Sequence, residues 1–189
     1  AVGRVPWAEV IASVTKILDG CSASLYLGDP VRGTTDVLAL QHLDGRFARL
    51  YSAEFLHHDL WAQGALRRAI YGRAVRGSEV VPERVLERSK FYNEFLKQES
   101  DIFHLAGSIL KLDNGNVLVV GCHHSRRTGA FSDESVALLD RLLPHLRRAT
   151  EVHHRLGLAR GSEAALDVLD EGVIQFESTG RMLHANSHA

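Results

Sequence analysis

FSDESVALLDRLLPHLRRATEVHHRLG, residues 131–157, decides how the chain is read. Ser132 is a good N-cap, because its hydroxyl can accept from an orphan amide of a first helical turn. Asp133 and Glu134 follow where the helix dipole favours negative charge, and Arg147, Arg148 and Arg155 crowd the end where it favours positive charge. The stretch is expected to form a helix, roughly 37 Å long at about 1.5 Å per residue. Pro144 removes one backbone hydrogen bond and should kink it. Two apolar stripes run along it. Val136, Leu139, Leu143 and Leu146 form a short one, expected to pack on the chain's own domain. Leu138, Leu142, His145, Ala149, Val152 and Leu156 step by four and three, the signature of a helix–helix seam. That second stripe is expected to meet the same helix of another subunit, giving a homodimer. One broad face buried in a single core remains the alternative.

Composition is that of an ordinary globular chain: 45% hydrophobic and 24% charged residues over 189 positions leave room for a substantial core. A net charge of −1 argues against a nucleic-acid-binding surface in this segment. Cys21 and Cys122 are far apart and lack metal spacing, which fits free thiols in a reducing cytoplasm. No apolar run approaches a membrane span, so no membrane partner is expected, and no signal peptide is visible. Ala1 stands where Met would, so a longer natural chain is expected.

Taken in order, Pro6–Asp19 reads as an amphipathic helix closed by Gly20. Ser22–Gly28 alternates as a strand, and Asp36–Leu43 pairs with it as a hairpin. Arg46–Asp59 returns to helical periodicity, and Leu60–Val75 fits no pattern cleanly. Glu79–Val81 reads as extended, with short helices after Pro82 and from Ser89. Asp101–Leu112 reads as a strand with Gly107 at a bulge. Asn114-Gly115 is a strong hairpin turn, leading into Asn116–His123, an almost wholly apolar strand expected at the centre of the sheet. Beyond Gly157 a second helix, capped by Ser162, is expected to precede a hairpin of Val173–Phe176 and Met182–Ala185. This order predicts an α+β fold: an antiparallel sheet of about five strands flanked by helices, with a long C-terminal helix leading to an incomplete hairpin.

RSKFYNEFLK (88–97), the NGN turn (114–116), RTGAFSDESVALLDRLLPHLRRA (127–149) and EAALDVLDEGVIQFESTGRMLHAN (163–186) together resemble the sensor half of bacterial LuxR-type helix-turn-helix transcriptional regulators. The resemblance covers about residues 45–186, and GAFSDESVALLDRLLPHLRRA is its most specific part. It implies a GAF-like sensor domain over 1–131, exit and dimerisation helices over 132–171, and the start of a PAS-like domain over 172–189. It implies a small-molecule or partner effector, and DNA binding through a C-terminal helix-turn-helix domain outside these residues. Tyr51-SAE-Phe55-LHH-Asp59 is similar in part to the motif of acyl-homoserine-lactone receptors. Leu60 stands where that motif has Pro, and Phe55 where it has Tyr, so lactone binding is not carried over.

The candidate ligand site is an apolar pocket on one face of the sheet. Its aromatic members are Tyr51, Phe55, Trp61 and Phe91, with Tyr71, Tyr92 and Phe103 nearby; Asp59, His104 and His123 are its polar groups. An ordinary aromatic core is the competing reading. The pairs His57-His58, His123-His124 and His153-His154 do not make a metal site, because adjacent side chains diverge on a strand or helix. The same divergence separates Cys122 from His123 as a catalytic pair. Arg126-Arg127 and Arg147-Arg148 read as solvated or dipole-paired charges. No nucleophile–base constellation, phosphate loop, metal or cofactor motif appears, so no enzyme is expected. A ligand-free dimerisation scaffold is the alternative function.

Overall fold

The computed structural model describes residues 7–167, 171–176, 182–186 and 188–189. The chain divides into two units, residues 1–148 and 149–189. Within the first, α1 (Trp7–Ile17) is followed by β1 (Ser22–Asp29), β2 (Thr34–Gln41), α2 (Gly45–Leu50) and α3 (Leu60–Arg67). Then come β3 (Val75–Arg76), α4 (Gly77–Val80), α5 (Glu83–Glu87), α6 (Lys97–Ser100), β4 (His104–Lys111) and β5 (Val117–His124). The long helix α7 is Asp133–Asp167. The five strands form one antiparallel sheet in the order β2-β1-β5-β4-β3. The fold is therefore α+β, with β5 central. Among the described residues no helix is long and apolar enough to cross a membrane.

Strand alternation gives the sheet two faces. The back face carries Ala23, Leu25, Ala106, Leu118, Val120 and Cys122, all essentially buried. α1 packs against β1 and β2 and buries Ile11, Val14 and Leu18. That leaves β4 and β5 to be covered by α7, whose short stripe is buried at Leu139, Leu143 and Leu146 (0%, 1% and 5% exposed) and half-buried at Val136. Each such leucine contributes roughly 2 kcal/mol by leaving water. Asp140 of α7 accepts from Ala74 N at 2.7 Å, and Arg147 bonds Asp113 at 2.9 Å, pinning the helix across that half of the sheet. Ser132 caps α7 by accepting from Ser135 N at 3.1 Å.

Several local expectations change. Gly107 makes no bulge: it sits in regular register opposite Gly121 and Val75. The extended piece before Pro82 is Val75–Arg76, while Gly77–Val80 is helical. The α1 end is set by Asp19, whose φ of 56° takes the left-handed turn expected of Gly20. Helix α7 does not stop at Gly157 but continues to Asp167, so Ser162 lies inside it rather than capping a second helix. Glycine and serine weaken a helix interior only modestly, and the ladder runs through them.

Arg46–Asp59 is not one α-helix. After α2 the chain widens into a π-helical turn, Tyr51–Phe55, and tightens into a 3-10 turn, Leu56–His58. A second π turn covers Phe91–Leu96. Ser89 caps it, accepting from Tyr92 N at 3.0 Å. π turns are rare and tend to mark functional segments. Here they carry the aromatic residues of the front face.

In the second unit, β6 (Ile174–Phe176) and β7 (Met182–Ala185) pair antiparallel. The turn expected over Ser178–Gly180 lies outside the described residues. Asn186 fastens the base of the hairpin: its side chain accepts from Val173 N at 2.9 Å and donates to Glu171 O at 2.8 Å.

Candidate functional site

The front face of the sheet has a row without bulk. Ser24 pairs with Gly121, Gly121 with Gly107, and Gly107 with Val75, so three of four neighbouring positions carry little or no side chain. Two glycines side by side lower the centre of the sheet, with only the ends of Leu105 and His123 leaning over them. Gly107 is required there in any case, because a Cβ would stand 2.7 Å from the Val120 carbonyl oxygen. Gly121 is not: its Cβ would meet side chains and no backbone, His123 Nε2 and Leu105 Cδ1 at 3.0 Å and Ser24 Oγ at 3.5 Å. The neighbouring row is bulky, with Tyr26, Val119 and Ile109 in register. The hollow is therefore written into the cross-strand pairing.

Aromatic side chains from the π turns and α3 roof it. Phe95, wholly buried, is the hub, with Phe47 at 4.5 Å, Phe55 at 4.8 Å and Phe91 at 5.8 Å between ring centroids. Trp61 meets Phe91 edge to face at 5.9 Å. Between floor and roof lies a cavity of about 80 Å³. At roughly 15 Å³ of such space per water, it holds on the order of five waters, or one compact organic molecule. A second, wider recess of about 470 Å³ adjoins it, with Tyr26, Tyr51, Ala62, Ile109 and Val119 bordering both.

The cavity wall carries a short line of polar groups. Asp59 ends the first roof segment and caps α3, accepting from Ala62 N at 2.9 Å. Its other oxygen accepts from the Tyr51 hydroxyl at 2.8 Å. Burial pushes the Asp59 carboxyl above its ordinary value; the hydrogen bonds from Ala62, Tyr51 and Trp61 oppose this without cancelling it. Burial, then Asp59 and Tyr26, hold the Tyr51 phenol well up. Tyr26 is likewise raised, by burial and then by Asp59; the Ser24 hydroxyl, close by but not aligned for a hydrogen bond, acts the other way. The Tyr26 hydroxyl is buried and has no hydrogen-bond partner.

His123 completes the line. Its Nδ1 lies 3.1 Å from the Ser22 hydroxyl, and Nε2 is turned toward Gly121. Burial, followed by the charge of neighbouring His124, lowers His123 to about 3, so the ring is neutral. Cys122, one residue away, points to the back face, where burial pushes its thiol up to about 12 and keeps it protonated.

Of the residues singled out from sequence, Tyr51, Asp59, Trp61, Phe91 and His123 border this cavity. Phe55 stands behind Phe95, outside the wall. His104 also lies outside, with Nδ1 3.5 Å from Glu83 and its ring edge to face with Phe103; burial first lowers it, against the pull of Glu83. Tyr71 lies under the Lys111 ammonium at 4.1 Å, and Tyr92 packs on Phe103. Ser24, Tyr26, Gly107 and Gly121 were not anticipated. The signal that could have found them is the period of two: Ser24 and Tyr26 are the polar half of β1 that alternates with Ala23, Leu25 and Leu27.

No protein-family model matches the chain, and no curated protein matches it either. Among solved structures, the chain is similar to the crystal structure of the VqsR LBD domain from Pseudomonas aeruginosa, with a TM-score of 0.60 and 14% identity over 77% of this chain and 84% of that one. It is also similar to a domain assigned to a two-component sensor histidine kinase protein of Sinorhizobium meliloti 1021, with a TM-score of 0.59 and 16% identity over 85% of this chain and 97% of that one. At such identities the likeness is one of fold alone.

Proposed function

We propose that the first unit is the small-molecule sensing domain of a LuxR-type transcriptional regulator, and that it works as a homodimer whose DNA-binding helix-turn-helix domain lies beyond these residues. The effector enters the front-face cavity and donates a hydrogen bond to Asp59. The observation carrying this reading is the line of buried polar groups around an otherwise apolar cavity, with the Tyr26 hydroxyl unpartnered. A core built only for stability gains nothing from an unsatisfied hydroxyl, which costs about 1–3 kcal/mol. A ligand that supplies the missing partner recovers that cost. The shared fold with the VqsR LBD domain and the resemblance of residues 127–149 to LuxR-type regulators support the same reading.

The test is a thermal-shift screen of this chain against a broad metabolite library. A ligand at about a hundred times its dissociation constant adds about 2.7 kcal/mol to the folded form. For a chain of this size that is a rise of roughly 5–10 °C. The rise should be lost in Asp59→Asn. Silence across the library in the wild-type protein would instead favour the ligand-free dimerisation scaffold.

A further inference from the structure

The shape and polarity of the cavity specify its occupant further, on the premise that it is a sensor site. The floor is shallow at its centre, because Gly121 and Gly107 pair without side chains of their own and only the ends of Leu105 and His123 lean over them. The roof above is made of ring faces and edges, Trp61, Phe91 and Phe95. A shallow floor under an aromatic roof suits a flat molecule, since ring on ring adds stacking to the burial of area.

The polar groups lie along the wall and not across the floor. At one end the carboxyl of Asp59 accepts. At the other, a point above Gly121 where a Cβ would stand is 3.0 Å from His123 Nε2 and 3.5 Å from Ser24 Oγ, so these two atoms converge on one place. Neither makes a hydrogen bond there with another protein group, although both residues are 6% exposed. Tyr26 lies between the two ends, with its hydroxyl unpartnered. No cation stands inside to receive an anion. Arg73, at the rim, is more than half exposed, with its guanidinium 3.8 Å from Glu79.

We infer that the cavity binds an uncharged, planar aromatic or heteroaromatic compound of about one ring, with a hydrogen-bond donor at the end facing Asp59 and a second polar group at the end facing Ser24 and His123. Flatness is set by the glycine pair, and neutrality by the absence of an interior cation beside a carboxyl that repels anions.

The experiment is calorimetric titration of the whole chain with four probes, with Trp61 fluorescence as a second readout. 4-Hydroxybenzamide has the specified shape and polarity. 4-Hydroxycyclohexanecarboxamide keeps the polar ends but is not flat; p-xylene is flat without them; 4-hydroxybenzoate carries a charge. 4-Hydroxybenzamide should bind saturably, and each of the others at least about tenfold more weakly. Gly121→Ala places a methyl 3.0 Å from His123 Nε2 and Leu105 Cδ1, so these side chains must shift slightly; it should weaken 4-hydroxybenzamide by a similar factor while circular dichroism stays that of the wild type and the melting temperature falls at most modestly. Ser24→Ala should weaken it without altering p-xylene. Equal binding of the cyclohexane compound or p-xylene overturns the ring assignment but leaves a ligand-binding cavity, and so leaves the sensor reading standing. Tighter binding of 4-hydroxybenzoate overturns the neutrality. Failure of all four probes overturns the assignment, and the library screen then decides the sensor reading by itself.

Discussion

Tyr51 donates its phenolic hydrogen to Asp59 across 2.8 Å, and the groups acting on that carboxyl are burial, Tyr51 and two backbone amides, with no cation among them. A buried carboxylate held only by neutral donors is costly to ionise. Its raised pKa means that this residue's contribution to stability is full below the unfolded value of 3.8 and declines as pH rises through the folded value. Asparagine keeps the oxygen that caps Ala62 and carries no charge; its NH2, in place of the second oxygen, donates to the Tyr51 hydroxyl instead of accepting from it. Asp59→Asn should therefore stabilise the chain at pH 7 by about 1 kcal/mol, or roughly 2–4 °C. The gain should shrink toward pH 4, and effector binding should be lost. Tyr51→Phe should destabilise, by about 1–3 kcal/mol, because it strips a donor from a buried acceptor. Melting curves of the three proteins from pH 4 to pH 8 test this. An Asn variant less stable than wild type at neutral pH would show that the carboxylate is compensated after all.

His123 acts in the opposite sense. Its value falls from 6.5 to about 3 on folding, so the unfolded chain binds a proton that the folded chain refuses. Stability is full above about pH 6.5 and is lost as pH falls toward 3, at up to about 1.4 kcal/mol per pH unit. His123→Gln cannot titrate and keeps a polar group near Ser22. Urea unfolding at pH 7.5, 6 and 5 should show the wild type losing stability faster than the variant. Parallel losses in the two proteins would mean that His123 is not the group responsible. Asp59 is present in both, so its contrary slope cancels in the difference.

The sheet was legible because period-two alternation, the Asn114-Gly115 turn and the apolar run of β5 all point to one register. The α7 stripe was legible for the same kind of reason: Leu139, Leu143 and Leu146 recur at helical spacing and are buried. The front of the domain was only partly so. Tyr51, Asp59, Trp61 and Phe91 stand out as aromatic or charged residues in apolar context, but the cavity depends equally on what is missing at Gly107 and Gly121. Whether two glycines are neighbours depends on pairing across strands, which no local pattern in Asp101–Leu112 or Asn116–His123 reveals. The π turns were hidden too, since a helix widened by one residue per turn keeps nearly the same apolar spacing. Gly157 and Ser162 misled because their propensities are small against a helix held by its neighbouring turns.

β3 is only two residues long but joins the cavity floor to the start of α7. Val75 borders the cavity. On one side of it Ala74 N donates to Asp140 at 2.7 Å, and on the other Arg76 Nε donates to the Phe131 carbonyl at 2.6 Å while its guanidinium pairs with Asp133. A change at Val75 is thus felt at three points between residues 131 and 140. Asp140→Ala removes one of them and should cost about 1 kcal/mol of global stability. Hydrogen exchange should rise first at residues 72–78 and at the opening turns of α7, before the central strands. Uniform acceleration across β1, β4 and β5 would argue that β3 is not a separate linkage.

The second stripe of α7 makes the last prediction. Leu139, Leu143 and Leu146 are buried, whereas Leu138, Leu142, Ala149 and Leu156 are half-buried, His145 is exposed and Val152 is 45% exposed. An apolar row stepping by four and three that keeps this much contact with water gains by meeting a second copy. Light scattering coupled to gel filtration should give twice the chain mass for the wild type at micromolar concentration. Leu142→Glu with Val152→Glu should give the monomer, with an unchanged circular dichroism spectrum, because neither side chain is part of the buried stripe. Leu143→Glu is the contrasting variant: it places a charge in the core and should unfold the domain instead of dissociating it. A wild-type protein that stays monomeric at high micromolar concentration would remove the dimer.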